Sequence, residues 1–163
     1  MAHLSTNPLP APPPPLAAHP ERPEPRRFYR RVEQKLGLTA LRSDRDLARL
    51  VEDRLPLSTL DALTQSGVTA DEIHASILPR RTLAHRRSRH EPLTHDESDR
   101  AVRIARIAAL AEEVFADDAK AARWLRKPKS RFANRTPFDL LRTEAGARLV
   151  EEMLLQLDYG FAA

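Results

Sequence analysis

Arg80, Arg81, Arg86, Arg87 and Arg89 fall within ten residues, with no carboxylate among them. A guanidinium is planar and permanently charged, and its fork of donors fits both guanine edges and phosphate oxygens. A helix presenting these five side chains outward could read a DNA duplex, with Thr82 and His85 as secondary contacts. The same residues could also do a plainer job, as the solvated face of a basic helix. The charge distribution bears on this choice. Of 163 residues, 27 are basic and 23 acidic. Residues 1–79 carry ten of each sign and residues 107–163 nine of each. The surplus therefore lies in residues 80–106, where eight arginines meet only Glu91, Asp96, Glu97 and Asp99. A confined excess is the footprint of a phosphate-binding surface, though charge alone leaves both readings open.

Other chemistry-bearing residues form no constellation. His85, His90 and His95 are spaced by five, which puts them on different faces of a helix, and Pro92 divides them, so a shared metal ion is not expected. Glu112–Glu113 and Asp117–Asp118 are adjacent acids, and helix neighbours do not face each other. The sequence shows no Gly-rich phosphate loop, no HExxH and no nucleophile elbow. These residues point away from an enzyme and imply no cofactor. With no cysteine, the chain has neither disulfides nor thiolate metal sites, which suits a reducing cytoplasm. No apolar run approaches the roughly 20 residues of a membrane span, and no apolar signal core is visible, so a cytoplasmic protein without a membrane partner is expected.

The elements that must position the arginines read as all-α. Glycine is scarce, at four residues, and Ala, Leu, Arg and Glu abound, a helical composition. Residues 1–27 hold nine of the fourteen prolines and are expected to be a polyproline-like or disordered leader. From Phe28, with Val32 and Leu36 at four-residue spacing, helical periodicity begins, and Gly37 stops it. Ser43 is placed to cap a helix to about Arg54, and Ser58 a short helix ending at Gly67. Thr69 with Glu72, and Thr94 with Glu97, have capping-box spacing. The helix after Thr94 should run to about Ala116, with Ile107–Ala111 apolar all round and so centrally buried. Asp118 to Arg126 predicts a shorter helix with Trp124 and Leu125 in the core. Thr136–Pro137 opens another, and Thr143 caps the last. On that last helix Gly146, Leu149, Val150, Met153, Leu154 and Leu157 should line one face, with Arg148, Glu151, Glu152 and Gln156 on the other.

Short helices divided by tight turns can form a helix-turn-helix, whose second helix enters the major groove. Glu72–Leu78 followed by Pro79–Arg89 fits, with Ile73 and Leu83 joining the two. Residues 69–77 remain an alternative reading helix. The usual turn glycine is absent; Ile77 or Leu78 stands near its place.

Two longer segments carry a family resemblance. One is Arg80–Arg81–Thr82–Leu83–Ala84–His85–Arg86–Arg87 with Leu93–Thr94–His95–Asp96–Glu97–Ser98–Asp99–Arg100. The other runs from Ala121 through Trp124–Leu125–Arg126–Lys127–Pro128 and Thr136–Pro137–Phe138–Asp139–Leu140–Leu141–Arg142–Thr143–Glu144–Ala145–Gly146 to Asp158–Tyr159–Gly160. In order and spacing, residues 55–163 resemble the Xre/MbcA/ParS antitoxins. Ala133–Asn134 departs from the pattern, since the family more often has glycine there. The resemblance implies a Cro/Xre-like helix-turn-helix region over 28–106, packed with a helical toxin-binding domain over 107–163. It implies an autorepressor that binds operator DNA and also binds a RES-domain toxin, an NAD-consuming enzyme, blocking its active site. Arg80, Arg81, Arg86 and Arg87 would belong to the DNA-reading helix. The last helix and tail would lie on the toxin, through Arg148, Glu151, Glu152, Leu155, Asp158, Tyr159, Gly160, Phe161, Ala162 and Ala163.

The residues give that second role a physical basis. Tyr159 and Phe161, with Gly160 as a bend, could enter a cleft, since aromatic anchors bury much area at small entropic cost. They could instead fold back onto their own core. Helix-turn-helix readers commonly pair on half-sites, so a homodimer within a toxin–antitoxin hetero-oligomer is expected. Two other readings are a helix-turn-helix regulator without a toxin partner, and a helical adaptor whose Pro-rich leader is a ligand.

Overall fold

The computed structural model describes residues 25–160. Phe161, Ala162 and Ala163, and all of the Pro-rich leader before Pro25, lie outside the described residues. The described residues form nine α-helices, one turn of 3-10 helix and no strand, so the all-helical expectation holds.

The helices are α1 (Pro25–Leu36), α2 (Asp44–Glu52), α3 (Ser58–Gln65), α4 (Ala70–Ser76), α5 (Arg80–Arg89), α6 (His95–Phe115), α7 (Asp118–Arg126), α8 (Pro137–Leu140) and α9 (Glu144–Asp158). α6 is the central post. Its capping box forms as the spacing predicts: Thr94 Oγ1 accepts from the Glu97 amide, and the Glu97 carboxylate from the Thr94 amide. Ala101, Ile104, Ala105, Ile107, Ala109 and Ala111 are all buried, because α1, α2, α3, α7 and α9 pack around this one helix. The many alanines let those neighbours approach closely, and apolar burial all round is the signature of a central helix.

Three joints fix the rest. α1 lies on α6 through Val32 and Leu36, both buried, and the buried Lys35 reaches Glu112 at 2.5 Å. Helix α1 opens at Pro25, three residues before the predicted start, where proline costs no hydrogen bond. Gly37 closes it at φ +65°, and a Cβ there would stand 2.9 Å from Ala62 Cβ in α3. Between α2 and α3 the chain runs beside the start of α6. The Leu93 amide donates to the Leu55 carbonyl at 2.9 Å, and the Leu55 amide donates to Ser98 Oγ at 2.9 Å.

Ser58 is not the cap of α3. Leu57 occupies that position and makes no side-chain cap bond. Trp124 is only half-buried; its ring lies 5.8 Å from that of Phe115, and the Lys129 ammonium sits over it. Leu149, expected inward, is 50 % exposed. The buried face of α9 is the narrower stripe Gly146, Ala147, Val150 and Leu154.

Candidate nucleic-acid interface and C-terminal surface

α4 and α5 are joined by Ile77, Leu78 and Pro79. Thr69 and Glu72 form the capping box of α4, and Ile73, Ile77 and Leu78 are buried. No residue of this turn has positive φ, so the missing glycine is not needed. Buried aliphatic side chains hold the bend instead. Pro79 stands at the N-cap of α5, and His90 closes it in the left-handed conformation.

α5 has no buried residue. Thr82, Leu83 and Arg86 are half-buried and form its inward side, with Leu83 packed against the core. Arg80, Arg81, His85, Arg87 and Arg89 are exposed. Arg87 meets Asp61 of α3 at 2.6 Å, Arg80 lies 3.7 Å from Asp71, and Arg89 lies 3.9 Å from Glu91. These surface pairs are weak.

Arg86 corrects the expectation of five outward arginines. Its guanidinium turns inward, 3.1 Å from Glu97 and 3.6 Å from Glu91, with its side chain 15 % exposed. It also donates to the Pro92 carbonyl. Arg86 therefore locks α5 onto the start of α6 rather than facing a duplex. The signal was present: Arg86 stands three residues after Leu83, the one large apolar residue of the helix, and so shares its face. The arginines of α6 also serve the fold. Arg100 donates to the Ile77 carbonyl at 3.0 Å. The buried Arg103 binds Asp99, Glu144 at 3.2 Å and the Leu141 carbonyl. Arg106 lies 3.8 Å from Glu151. Of the eight arginines in residues 80–106, four keep their charge on the outer surface of α5.

The residues expected on the toxin divide similarly. Arg148, Glu152, Asp158 and Gly160 are exposed, with Arg148 beside Glu144 at 3.5 Å. Glu151 is half-buried against Arg106, and Leu155 is half-buried against the core. Tyr159 is half-buried at the C-cap, its amide donating to the Leu155 carbonyl at 3.1 Å. Gly160 follows at φ +71° with open space where a Cβ would lie, so backbone conformation rather than crowding selects glycine there.

Spacing gave no hint of a bridge between the two halves. Arg126 of α7 meets the Glu72 carboxylate at 2.7 and 2.8 Å and donates to the Gly67 carbonyl at 2.8 Å. Burial alone would raise the Glu72 pKa, but Arg126 and the Thr69 amide hold the carboxyl below its usual value. Glu72 thus caps the helix that precedes α5 while being gripped from the C-terminal half. Its partner is 54 residues away in sequence, beyond any local pattern.

Comparison with known proteins matches both halves. Residues 46–106 match the antitoxin Xre-like helix-turn-helix domain. Residues 110–160 match the antitoxin Xre/MbcA/ParS C-terminal toxin-binding domain. The chain is 44 % identical over 134 residues to an Antitoxin Xre of Pseudomonas putida, covering 82 % of this chain and 84 % of that protein. It is 30 % identical over 141 residues to an Antitoxin Xre of Yersinia enterocolitica, covering 85 % and 95 %. An Antitoxin Xre of Photorhabdus laumondii is 27 % identical over 72 % of this chain and 81 % of its own length.

Proposed function

The chain belongs to the antitoxin Xre family, and from that premise we propose that it is a binding protein with two working surfaces. In this reading α5 binds operator DNA upstream of its own gene and represses the operon. The end of α9, with the residues after it, binds a toxin and blocks its active site. The toxin is a RES-domain enzyme that consumes NAD, and the pair acts in the cytoplasm as a hetero-oligomer containing an antitoxin homodimer.

The observation that carries the DNA role is α5 itself: a ten-residue helix with no buried residue and with Arg80, Arg81, Arg87 and Arg89 outward. Such a helix contributes little apolar burial to the fold, while its donors suit both phosphates and base edges. Asp61, Asp71 and Glu91 hold three of these arginines in place until phosphate replaces them. The toxin role rests on the toxin-binding domain matched over residues 110–160 and on the form of the last turn. There the aromatic Tyr159 stands at the C-cap of α9, and Gly160 follows in the left-handed conformation.

Co-expression with the neighbouring toxin gene tests the second surface. The full chain should restore growth, and a chain ending at Asp158 should not. Equal rescue by both would show that the tail does not block the toxin. A gel shift with duplex DNA from upstream of the gene tests the first surface; no shifted band would remove the operator role.

A further inference from the structure

Behind the turn between α4 and α5 lies a groove of about 530 Å³ that the reading above leaves unused. One side is formed by His74, Ala75 and Ser76 of α4 and by the turn Ile77, Leu78 and Pro79. The other is Arg100 of α6 and Arg142, which follows α8 in the C-terminal half. No carboxylate lines it. Arg100 has one nitrogen committed to the Ile77 carbonyl at 3.0 Å, and its other donors remain. Arg142 is exposed, and among the described residues no hydrogen bond or ion pair holds it. Arg131, Arg135 and Arg148 of the same half are held, by Gln156 at 2.7 Å, the Asp139 carbonyl at 3.2 Å and Glu144 at 3.5 Å, while Arg123 is exposed on α7 away from the groove.

Two guanidinium groups on one groove without a counter-charge make a site for an anion. The position of the groove selects which anion. It opens beside Pro79, the N-cap of α5. A recognition helix meets base edges with its N-terminal residues, so the sugar-phosphate backbone passes close to that end. We propose that this groove takes a backbone phosphate of the bound duplex, held by Arg142 with the free nitrogens of Arg100. The C-terminal half would then contribute directly to DNA binding. The inference rests on α5 as the reading helix.

The test is fluorescence anisotropy with the full chain and a labelled duplex from upstream of the gene, titrated between about 50 and 200 mM salt. Arg142→Ala should bind about tenfold more weakly at the lower salt, and the slope of log affinity against log salt should fall by about one. An unrelated duplex should show the same change in slope, because a phosphate contact carries no sequence information. Arg142→Lys should restore the slope, and Arg123→Ala on α7 should match the wild type. Arg81→Ala serves as the marker for α5. If Arg81→Ala loses binding while Arg142→Ala keeps the wild-type slope, the groove is not a phosphate site and the α5 reading stands. If Arg81→Ala also binds normally, both ideas fall.

Discussion

α5 and α9 carry the two surfaces proposed to bind partners, yet they are held in opposite ways. α9 is anchored along its length by Gly146, Ala147, Val150 and Leu154, all buried, which leaves only an outer edge and a last turn for a partner. α5 has no buried residue. It is held by its surroundings: the aliphatic turn Ile77–Leu78, the inward Leu83, and the Arg86 lock on Glu97 and Glu91. A helix that must offer most of its circumference to another molecule is best fixed from its ends and by a few directional bonds. A helix that offers one edge can rest on an apolar stripe. Truncating an apolar residue should therefore unfold α9, whereas truncating outward residues of α5 should cost function alone.

The largest stability effect expected is at α9. Leu154→Ala removes a fully buried side chain and should lower unfolding free energy by about 2–5 kcal/mol in denaturant titration. A loss below about 1 kcal/mol would mean that the stripe is not what holds the helix. At α5 the corresponding handle is ionic. Arg86→Ala strands the largely buried Glu97 carboxylate and should cost about 2–3 kcal/mol, less than a fully buried pair because water still reaches the site. A cost as small as that of Arg89→Ala, whose pair with Glu91 is exposed, would remove the lock.

A smaller effect is expected in the loop before α8. Ala133 and Asn134 stand at φ +52° and +59°, the left-handed region that a Cβ disfavours. The glycine-like backbone is thus kept without glycine. Ala133→Gly should stabilise the chain by about 1 kcal/mol, raising the melting temperature by a few degrees. An unchanged or lower melting temperature would contradict that backbone.

The smallest effect separates two glutamates. Burial pushes the Glu113 carboxyl above its usual value of 4.5, against the pull of Arg31 and Arg27 and with Asp158 adding to the rise. Neither of its oxygens has a hydrogen-bond partner. Its contribution to stability is fully present below pH 4.5 and is lost as pH rises through the raised folded value. Glu113→Gln should therefore melt slightly higher than wild type at pH 7, with the gain fading near pH 4. Glu72 has the opposite sign: its contribution is present above pH 4.5 and lost as pH falls through the lowered folded value. Glu72→Gln should melt lower at pH 7. The same sign for both variants would refute the assignment.

Much of the scaffold was legible because its signals are local. Thr69, Thr94, Thr136 and Thr143 each accept the cap bond that their spacing predicts, and α6 ends beside Ala116. What could not be read depends on rotation or on distance. The ten residues of α5 contain one large apolar side chain, Leu83, and Arg86 read like its neighbours because the charge of the cluster outweighed that single cue to the inward face. Leu149 looked apolar enough for the core, but the α9 stripe is narrower than its hydrophobic residues suggest. The Arg126–Glu72 bridge and the Arg142 groove join residues far apart in the chain, and only packing brings them together.

The central claim is that the outward arginines of α5, unlike the inward Leu83 and Arg86, bind DNA without being needed for the fold. Replacing Arg80, Arg81 and Arg87 together with alanine, and measuring duplex affinity beside the melting temperature, tests it most directly. The account predicts a loss of at least about a hundredfold in affinity, a salt slope lower by about three, and a melting temperature within a few degrees of the parent. Wild-type affinity in a variant that folds normally would contradict it.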